Sequence, residues 1–445
     1  MPAILPLLLC LQSEVSLTTI RQLARIVPAL LAMTGRVTML GIARWTGEGA
    51  SYRTVQRFFA TIIPWASVFW LFFRSQLFES DDLYLLAGDE TVVTKSGKHT
   101  PGLDHFFASL YGKPVPGLAF FTLSLISTKQ RRSFPLALEQ VVRTASEKAA
   151  AKAKTAKATT KRKLGRPKGS STKATTTPEL SPELTRIQTL ILALLTRIGG
   201  VLPLTYLVLD GHFGNAGALH MAHSCQLHLI SKLRSDSALY LPYHGEYAGR
   251  GPRRIYGDKL NPRSIPERYL CQTTVDKGIE TRIYQVQVRH KTCAEPLNVV
   301  CLVKTNLKTH SQAHVLLFSS DLTLPFEKLI DYYRLRFQLE FNFRDAKQYW
   351  GLEDFMSTHP TRVTNAANLS LFMVNLVERL LRDERRKQPE MSVLDLKAQC
   401  RGAKYVEATI KLLPQKPDAG LLERIVTKVV GIGRIHAVLA DPVPA

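Results

Sequence analysis

The spacing of apolar positions separates a helical first part of the chain from a mixed second part. Residues 15–80 carry apolar side chains three and four positions apart, which is the period of helices packed on a core. From residue 83 onwards the pattern becomes short apolar runs bounded by turn residues, as is typical of strands. Strands are predicted at residues 83–87, 105–111, 118–127, 204–209 and 227–233, with helices among them at residues 182–198 and 215–225. This alternation predicts a mixed α/β core.

The remaining residues predict an insertion followed by helices. Residues 235–324 are rich in Tyr, Val, Ile and Thr and are interpreted as a β-rich insertion, and long helices are predicted at about residues 325–349 and 361–386. The last sixty residues show only weak helix and turn patterns, and dimerisation is one candidate role for them. The predicted domains are a helical N-terminal domain at 1–80, a core at 81–234 and 325–385, the insertion at 235–324 and a helical C-terminal region at 386–445.

Two short helices within the N-terminal domain have the arrangement of a helix-turn-helix. They are predicted at residues 39–46 and 51–61, joined by a turn at residues 47–50, with Ser51 as the N-cap of the second helix. Arg53, Gln56 and Arg57 lie on this second helix and would contact DNA. An ordinary helical hairpin with a polar outer face is an equally good interpretation of so short a pattern.

The charge of the chain narrows its class of partner. It has 59 Lys and Arg against 36 Asp and Glu, a net charge of +23, so the expected partner is a polyanion, either nucleic acid or an acidic membrane surface. No run of about 20 uninterrupted apolar residues is present, so no membrane span is predicted. The six cysteines contain no Cys-x-x-Cys pair, which argues against zinc ribbons and disulfide frameworks and predicts a reducing, cytoplasmic location.

Two basic segments are candidates for DNA contact. Residues 148–173 hold ten Lys or Arg and no acid, a composition that predicts a disordered linker within the core. The centre of this linker resembles an AT-hook, in which Arg162, Arg166 and Lys168 would follow a narrow minor groove. A solvated charged linker explains the same residues equally well. A shorter loop in the insertion adds Arg253 and Arg254.

The most informative segment is the helix predicted at residues 331–349. Tyr333, Arg336, Glu340 and Lys347 fall within about 60° of one another on a wheel of about 100° per residue. A stripe with a carboxylate, a guanidinium, an ammonium and a phenol could hold a phosphate backbone beside a metal-bound carboxylate. The commoner explanation of such a stripe is a solvated face with helical salt bridges.

The spacing Tyr-x2-Arg-x3-Glu-x6-Lys resembles the signature of the IS4-type DDE transposases. This resemblance implies two further catalytic aspartates at strand ends. Asp89, in Leu-Leu-Ala-Gly-Asp-Glu-Thr, and Asp210, in Tyr-Leu-Val-Leu-Asp-Gly-His-Phe, each follow an apolar run and complete an Asp, Asp, Glu set with Glu340. The resemblance also implies an RNase H-like catalytic core, interrupted by a β-rich insertion and preceded by a helical DNA-binding domain.

The function implied by the resemblance is that of a cut-and-paste transposase. It would bind the terminal inverted repeats of its insertion sequence as a homodimer in a synaptic complex, in the bacterial cytoplasm or nucleoid. Asp89, Asp210 and Glu340 would hold two Mg²⁺ or Mn²⁺ ions, which suit carboxylate oxygens and serve both the attacking and the leaving oxygen. Hairpin-forming relatives imply a hairpin intermediate, but the predicted insertion holds no Trp on which a flipped base could stack.

Three alternatives stay open at this stage. A domesticated, non-cleaving DNA-binding protein with the same fold would explain the charge, although the intact signature favours an enzyme. A structure-specific nuclease would use the same metal core but would not need a helix-turn-helix. A zinc site at His220, His223 and Cys225 is disfavoured, because no Glu accompanies the histidines as a base.

Overall fold

A large mixed sheet organises the protein. The computed structural model describes residues 3–47, 50–108, 111–149, 179–247, 249, 251 and 254–436 of the chain. The strands of the described residues are β1 (Tyr84–Thr94), β2 (Asp104–Ala108), β3 (Lys113–Ser127), β4 (Arg132–Val141), β5 (Tyr206–Val208), β6 (His228–Leu233), β7 (Leu239–Pro242), β8 (Tyr256–Lys259), β9 (Leu270–Asp276), β10 (Ile279–His290), β11 (Leu297–Asn306) and β12 (Gln312–Ser319). This confirms the predicted mixed α/β class.

Helices come before, between and after the strands. In the described residues they are α1 (Ile4–Leu8), α2 (Leu17–Ala32), α3 (Met39–Thr46), α4 (Tyr52–Ala60), α5 (Trp65–Gln76), α6 (Pro182–Ile198), α7 (Ala216–Ser224), α8 (Phe326–Leu335), α9 (Gln338–Tyr349), α10 (Pro360–Lys387), α11 (Val393–Leu412) and α12 (Ala419–Val430). The helix predicted at 182–198 is confirmed. Its first turn is fixed by the Ser181 side chain, which accepts a hydrogen bond from the Leu184 amide.

The order of the strands divides the sheet into two halves. β4, β3 and β1 are antiparallel neighbours, and β1 is followed by β5 and β6, which run parallel to it. β12 then pairs antiparallel with β6 and continues through β11 to β10, so the strands of residues 239–319 extend the same sheet. β3 is buried at every position from Gly117 to Ser127, because layers cover both faces of the sheet there.

The N-terminal helices share a hydrophobic core with the sheet and the later helices. Buried Asn365, on α10, ties them together: its side chain accepts a hydrogen bond of 2.8 Å from the Trp65 indole and donates to the carbonyls of Phe59 and Thr61 at 2.8 and 2.7 Å. A buried amide with all its groups satisfied fixes one relative orientation of the helices. The helices that carry the predicted helix-turn-helix are therefore packed directly on the rest of the protein.

One described helical segment is long and apolar enough to cross a membrane by length and composition alone. It covers Pro182–Val201, and the bent pair of α4 and α5 passes the same test jointly. One such helix is weak evidence for a membrane span, because the core helix of a globular protein passes the same test, so the absence of a span stays a prediction. Leu184, Ile187 and Ile191 nevertheless lie on one buried face of α6, the pattern of a helix packed on a protein core.

Candidate active site

Two aspartates lie in register on neighbouring parallel strands. The last paired residues of β1 and β5 are Ala87 and Val208, and Asp89 and Asp210 each follow two positions later. Both carboxylates therefore lie at the same end of this parallel pair. Asp210 lies two residues beyond the end of β5, close to the predicted strand end, and its side chain accepts a hydrogen bond from the His212 amide at 3.1 Å.

The predicted position of Asp89 at a strand end is wrong. β1 continues to Thr94, because the residues from Asp89 to Thr94 pair with β3 from Thr122 back to Gly117. Only the parallel pairing with β5 ends before Asp89. The backbone of Asp89 is therefore paired with β3 on one side of β1, and it lies beyond the pairing with β5 on the other side.

The single long helix predicted for residues 325–349 is also wrong, because the chain forms two helices, α8 and α9, with a break at Arg336 and Phe337. Across the break the amides of Arg336, Phe337, Leu339 and Glu340 bond to carbonyls three residues back. Such tightening turns the chain by about 120° per residue, instead of the about 100° of an α-helix. Arg336 lies at the break, and Glu340 lies in the first turn of α9.

Arg336 links the first and third predicted catalytic carboxylates. Its guanidinium lies 2.6 Å from Asp89 Oδ2 and 3.5 Å from Glu340 Oε1. The Arg336 and Asp89 side chains are 15% and 22% exposed, whereas Glu340 is 45% exposed and open to a substrate. Arg336 Nε is buried and has no hydrogen-bond acceptor among the described residues.

The charges of the site act on Asp89. Burial raises the pKa of Asp89, and the Arg336 guanidinium opposes this rise. The carboxylates of Asp210 and Glu340 raise the same pKa further, since negative charges close together disfavour ionisation. Asp89 on β1 therefore lies close enough to Asp210 and Glu340 for their charges to act on its carboxylate.

Tyr333 and Lys347 complete the predicted set in different ways. Burial raises the pKa of the Tyr333 phenol. The neighbouring Arg336 guanidinium lowers this pKa, and the Asp210 carboxylate raises it. Lys347 Nζ donates to the Val92 carbonyl at 2.8 Å and lies 3.4 Å from the Glu353 carboxylate. Tyr333 therefore belongs to the carboxylate group, whereas Lys347 makes its contacts within the protein.

Comparison with known families identifies the class to which this site belongs. The chain matches the family described as DDE superfamily endonuclease over residues 10–294. It belongs to the DDE superfamily endonucleases. The matched residues include Asp89 and Asp210, whereas Glu340 lies beyond them. No match was found among curated proteins.

Membership of the DDE superfamily endonucleases establishes the broad function. The chain is a nuclease or transposase in general terms, and its substrate is DNA, which agrees with the net charge of +23. The mixed sheet fits a DDE nuclease fold. DDE-type endonucleases generally use divalent metal ions and are normally soluble.

The acidic group has the donor chemistry that such ions require. Carboxylate oxygens are the ligands that Mg²⁺ and Mn²⁺ prefer, and three carboxylates against one guanidinium leave an excess of negative charge. Across the described ranges, no three Asp, Glu, His or Cys side chains lie close enough together to hold a metal ion. The three carboxylates fit these ions by their chemistry. Because the Arg336 guanidinium contacts two of them, a bound cation would compete with it.

The alternative zinc site receives no support from the described residues, which include His220, His223 and Cys225. Burial raises the pKa of the Cys225 thiol to about 11. Carboxylate oxygens suit hard divalent ions such as Mg²⁺, so Asp89, Asp210 and Glu340 stay the preferred candidates for a metal site.

The predicted DNA-contacting residues of the N-terminal helices face solvent. α3 and α4 confirm the two predicted helices, and Ser51 caps the second by accepting a hydrogen bond from the Thr54 amide. Arg53 and Arg57 are exposed and Gln56 is partly exposed, on the side opposite the buried Val55, Phe58 and Phe59. The surface is available, and its role in DNA binding stays a prediction.

The basic segments are only partly described. Arg162, Arg166, Lys168 and Arg253 lie outside the described residues. Arg254 is described: its Nε donates to the Tyr256 carbonyl at 2.8 Å, and its guanidinium lies 4.7 Å from the centre of the Tyr243 ring. These contacts hold the guanidinium on the surface of the predicted insertion.

Sequence reasoning missed two features beside the site. His212 Nε2 lies 3.3 Å from the Glu183 carboxylate, and this contact raises the pKa of His212 and lowers that of Glu183. Lys95, six residues after Asp89, is buried at 8% exposure. Neither feature could be found from the local sequence. The contact of His212 with Glu183 joins residues that are far apart in the chain, and Lys95 stands out only by its burial.

Proposed function

We propose that this DDE superfamily endonuclease is an IS4-type transposase that cuts its element from DNA and joins it to a new site. The first step would be hydrolysis at each transposon end, in which water attacks phosphorus and the bond to the 3′ oxygen breaks. The 3′ hydroxyl so formed would attack the opposite strand to give a hairpin, which a second water reopens. A final attack of the 3′ hydroxyl on target DNA completes strand transfer.

The strand order supports an RNase H-like catalytic core for this enzyme. Three antiparallel strands, β4, β3 and β1, are followed in space by β5 and β6, which run parallel to β1. In such a sheet, residues at the carboxyl ends of neighbouring parallel strands meet, and this is where α/β proteins commonly place ligands. We assign the strands of residues 239–319 to the predicted insertion.

The observation that carries the proposal is the bridge formed by Arg336. One guanidinium contacts both Asp89 and Glu340, although 251 positions separate these residues in the chain. Asp210 stands in register with Asp89 on the neighbouring strand. A purely structural ion pair would explain two of these acids, but not the third, nor the exposure of Glu340 to solvent.

Asp89, Asp210 and Glu340 would hold two Mg²⁺ or Mn²⁺ ions, which when bound supply the Lewis acidity for phosphodiester cleavage. Arg336 would balance the charge of the carboxylates before substrate arrives. Its guanidinium, which also contacts the more exposed Glu340 carboxylate, would offer N–H donors to a phosphate oxygen. Tyr333 would add a hydrogen bond beside it, and Lys347 would keep Glu340 aligned with Asp89.

DNA binding would use surfaces on both sides of this site. The second helix of the predicted helix-turn-helix would read the terminal inverted repeats through Arg53, Gln56 and Arg57. Arg162, Arg166, Lys168, Arg253 and Arg254 would add phosphate or minor-groove contacts. Synapsis of two ends requires a homodimer, and a transposase of this kind would act in the bacterial cytoplasm or nucleoid.

Cleavage of labelled DNA that carries the sequences flanking the coding region tests this function. Asp89→Ala, Asp210→Ala and Glu340→Ala should abolish Mg²⁺-dependent nicking, while fluorescence anisotropy shows retained binding of the same DNA. Glu327→Ala is the matched control, because Glu327 is an exposed acid on α8. Undiminished cleavage by the Glu340→Ala protein would refute the assigned site.

A further inference from the structure

A buried lysine lies on the strand that carries Asp89, and the proposed mechanism gives it no role. Lys95 follows the last residue of β1 and is only 8% exposed. Lysines are rarely buried to this extent, because removing an ammonium group from water is costly unless it finds partners. Burial lowers the pKa of Lys95 to about 8, so the group still carries its charge at neutral pH.

Among the described residues, the partners of the Lys95 side chain belong to residues 350–359, which we call the connector because they join α9 to α10. Its Nζ donates to the carbonyls of Glu353 and Phe355, each at 2.8 Å. The same ammonium lies 3.9 Å from the centre of the Phe355 ring, within the range of a cation–π interaction. These contacts of the Lys95 ammonium are thus with a segment that begins directly after α9, the helix of Glu340.

The connector is fixed from two other directions. Lys347, on α9, lies 3.4 Å from the Glu353 carboxylate and donates to the Val92 carbonyl of β1. Asp354 accepts a hydrogen bond of 2.8 Å from the Val37 amide, which comes just before α3. The connector therefore touches the strand of Asp89, the helix of Glu340 and the N-terminal helices.

One close approach shows how tightly the connector is packed. Gly351 has φ of +80°, and a Cβ atom at this position would lie 2.4 Å from Val37 Cβ. Only glycine fits such a contact without displacing the neighbouring backbone. The connector is therefore in close contact with the segment just before α3 at Gly351.

We infer that Lys95 is a positioning residue, which holds the connector so that Glu340 stays aligned with Asp89 during cleavage. The inference rests on the proposed function, since it concerns the geometry of the same carboxylates. Lys95 itself touches neither acid. It acts through the connector and α9, and its loss should slow the chemical step without weakening DNA binding.

The test is steady-state cleavage of labelled transposon-end DNA by the full-length protein. For Lys95→Met we expect kcat to fall by about tenfold or more with KM within about twofold, because small misplacements of reacting groups are costly. Lys95→Arg should recover part of kcat, since it restores a charged donor. Lys98→Met is the matched control, because Lys98 is an exposed lysine three residues along the chain. Wild-type kcat in the Lys95→Met protein would overturn the inference.

A second variant covers the case in which Lys95→Met does not fold. Phe355→Leu removes the ring beneath the ammonium and leaves both carbonyl acceptors in place, so we expect kcat to fall by about threefold with KM unchanged. An unchanged kcat in this folded variant would overturn the inference. Absence of cleavage by both the wild type and Lys98→Met would instead refute the proposed function on which the inference rests.

Discussion

Lys347 Nζ donates a 2.8 Å hydrogen bond to the backbone carbonyl of Val92, three residues beyond Asp89 on the same strand. This bond joins the helix of Glu340 directly to the strand of Asp89. The bond is partly buried, and the Lys347 side chain is 28% exposed. The sequence signature predicts a phosphate clamp at Lys347, and that role stays a prediction; in the structure its ammonium ties the helix of Glu340 to the strand of Asp89.

This bond predicts a stability effect of Lys347 substitution. Lys347→Met should lower the free energy of unfolding by about 1–3 kcal/mol, because it leaves a backbone acceptor without its donor. Urea denaturation followed by circular dichroism measures the change. Lys328→Met, at an exposed position of α8, should leave stability within about 0.5 kcal/mol of the wild type. Equal stability of the wild type and Lys347→Met would show that the bond is unimportant.

Arg336 is expected to act after the first nick. Arg336→Ala should still nick the first strand, because the three carboxylates remain, but it should accumulate little hairpin. Hairpin formation needs strong DNA distortion, whose cost of a few kcal/mol must be offset by clamped phosphates. Denaturing gels of end-labelled DNA in Mg²⁺ measure both products. A wild-type protein that breaks both strands with no hairpin species at any time would contradict the hairpin pathway, whatever the variant does.

The exposed side chains of α4 should control sequence discrimination. Alanine at Arg53, Gln56 or Arg57 should reduce the ratio of affinities for end DNA and random DNA by about tenfold or more, because base contacts carry specificity. Competition binding at fixed salt measures this ratio. Alanine at Arg74, in the last turn of α5, serves as the control. A ratio that stays at the wild-type value in all three variants would assign α3 and α4 to a plain helical hairpin.

Buried Lys397 should make stability depend on pH. Its ammonium donates to the Leu30 carbonyl at 2.7 Å, and burial lowers its pKa from 10.5 to about 8. Between these two pH values the unfolded chain binds more protons, so stability rises with pH by up to about 3 kcal/mol for this group. Urea unfolding at pH 7.5 and pH 10 should show that rise in the wild type relative to Lys397→Met. The same pH-dependent difference between the wild type and Lys416→Met, which alters an exposed lysine, would contradict this explanation.

The sequence predicted elements that depend on local periodicity and missed features that depend on distant contacts. The helices α3 and α6 were predicted with their observed ends, because their caps and apolar spacing are local. The extension of β1 beyond Asp89 requires pairing with β3, and strand β4 was missed because Pro135 interrupts its apolar pattern. The helix break at Arg336 and Phe337 was not predicted, although Arg336 and Glu340 lie together as their spacing suggests.

The same distinction applies to the candidate site. The sequence pointed to Asp89 and Asp210 because each follows an apolar run, and to Glu340 because it lies in the Tyr-x2-Arg-x3-Glu-x6-Lys spacing. The bridge from Arg336 could not be predicted, because it joins residues 247 positions apart. Lys95 could not be singled out from the sequence, because only its burial distinguishes it from most other lysines.

The most direct test of the central claim locates the bound cation. Fe²⁺ can replace Mg²⁺ in carboxylate sites and, with ascorbate and peroxide, cuts the nearby polypeptide backbone through hydroxyl radicals. The account predicts cuts around residues 89, 210 and 340 together, suppressed by excess Mg²⁺ and lost in the Asp89→Asn protein. Cuts confined to other segments, or unchanged in Asp89→Asn, in protein that cleaves DNA would contradict it.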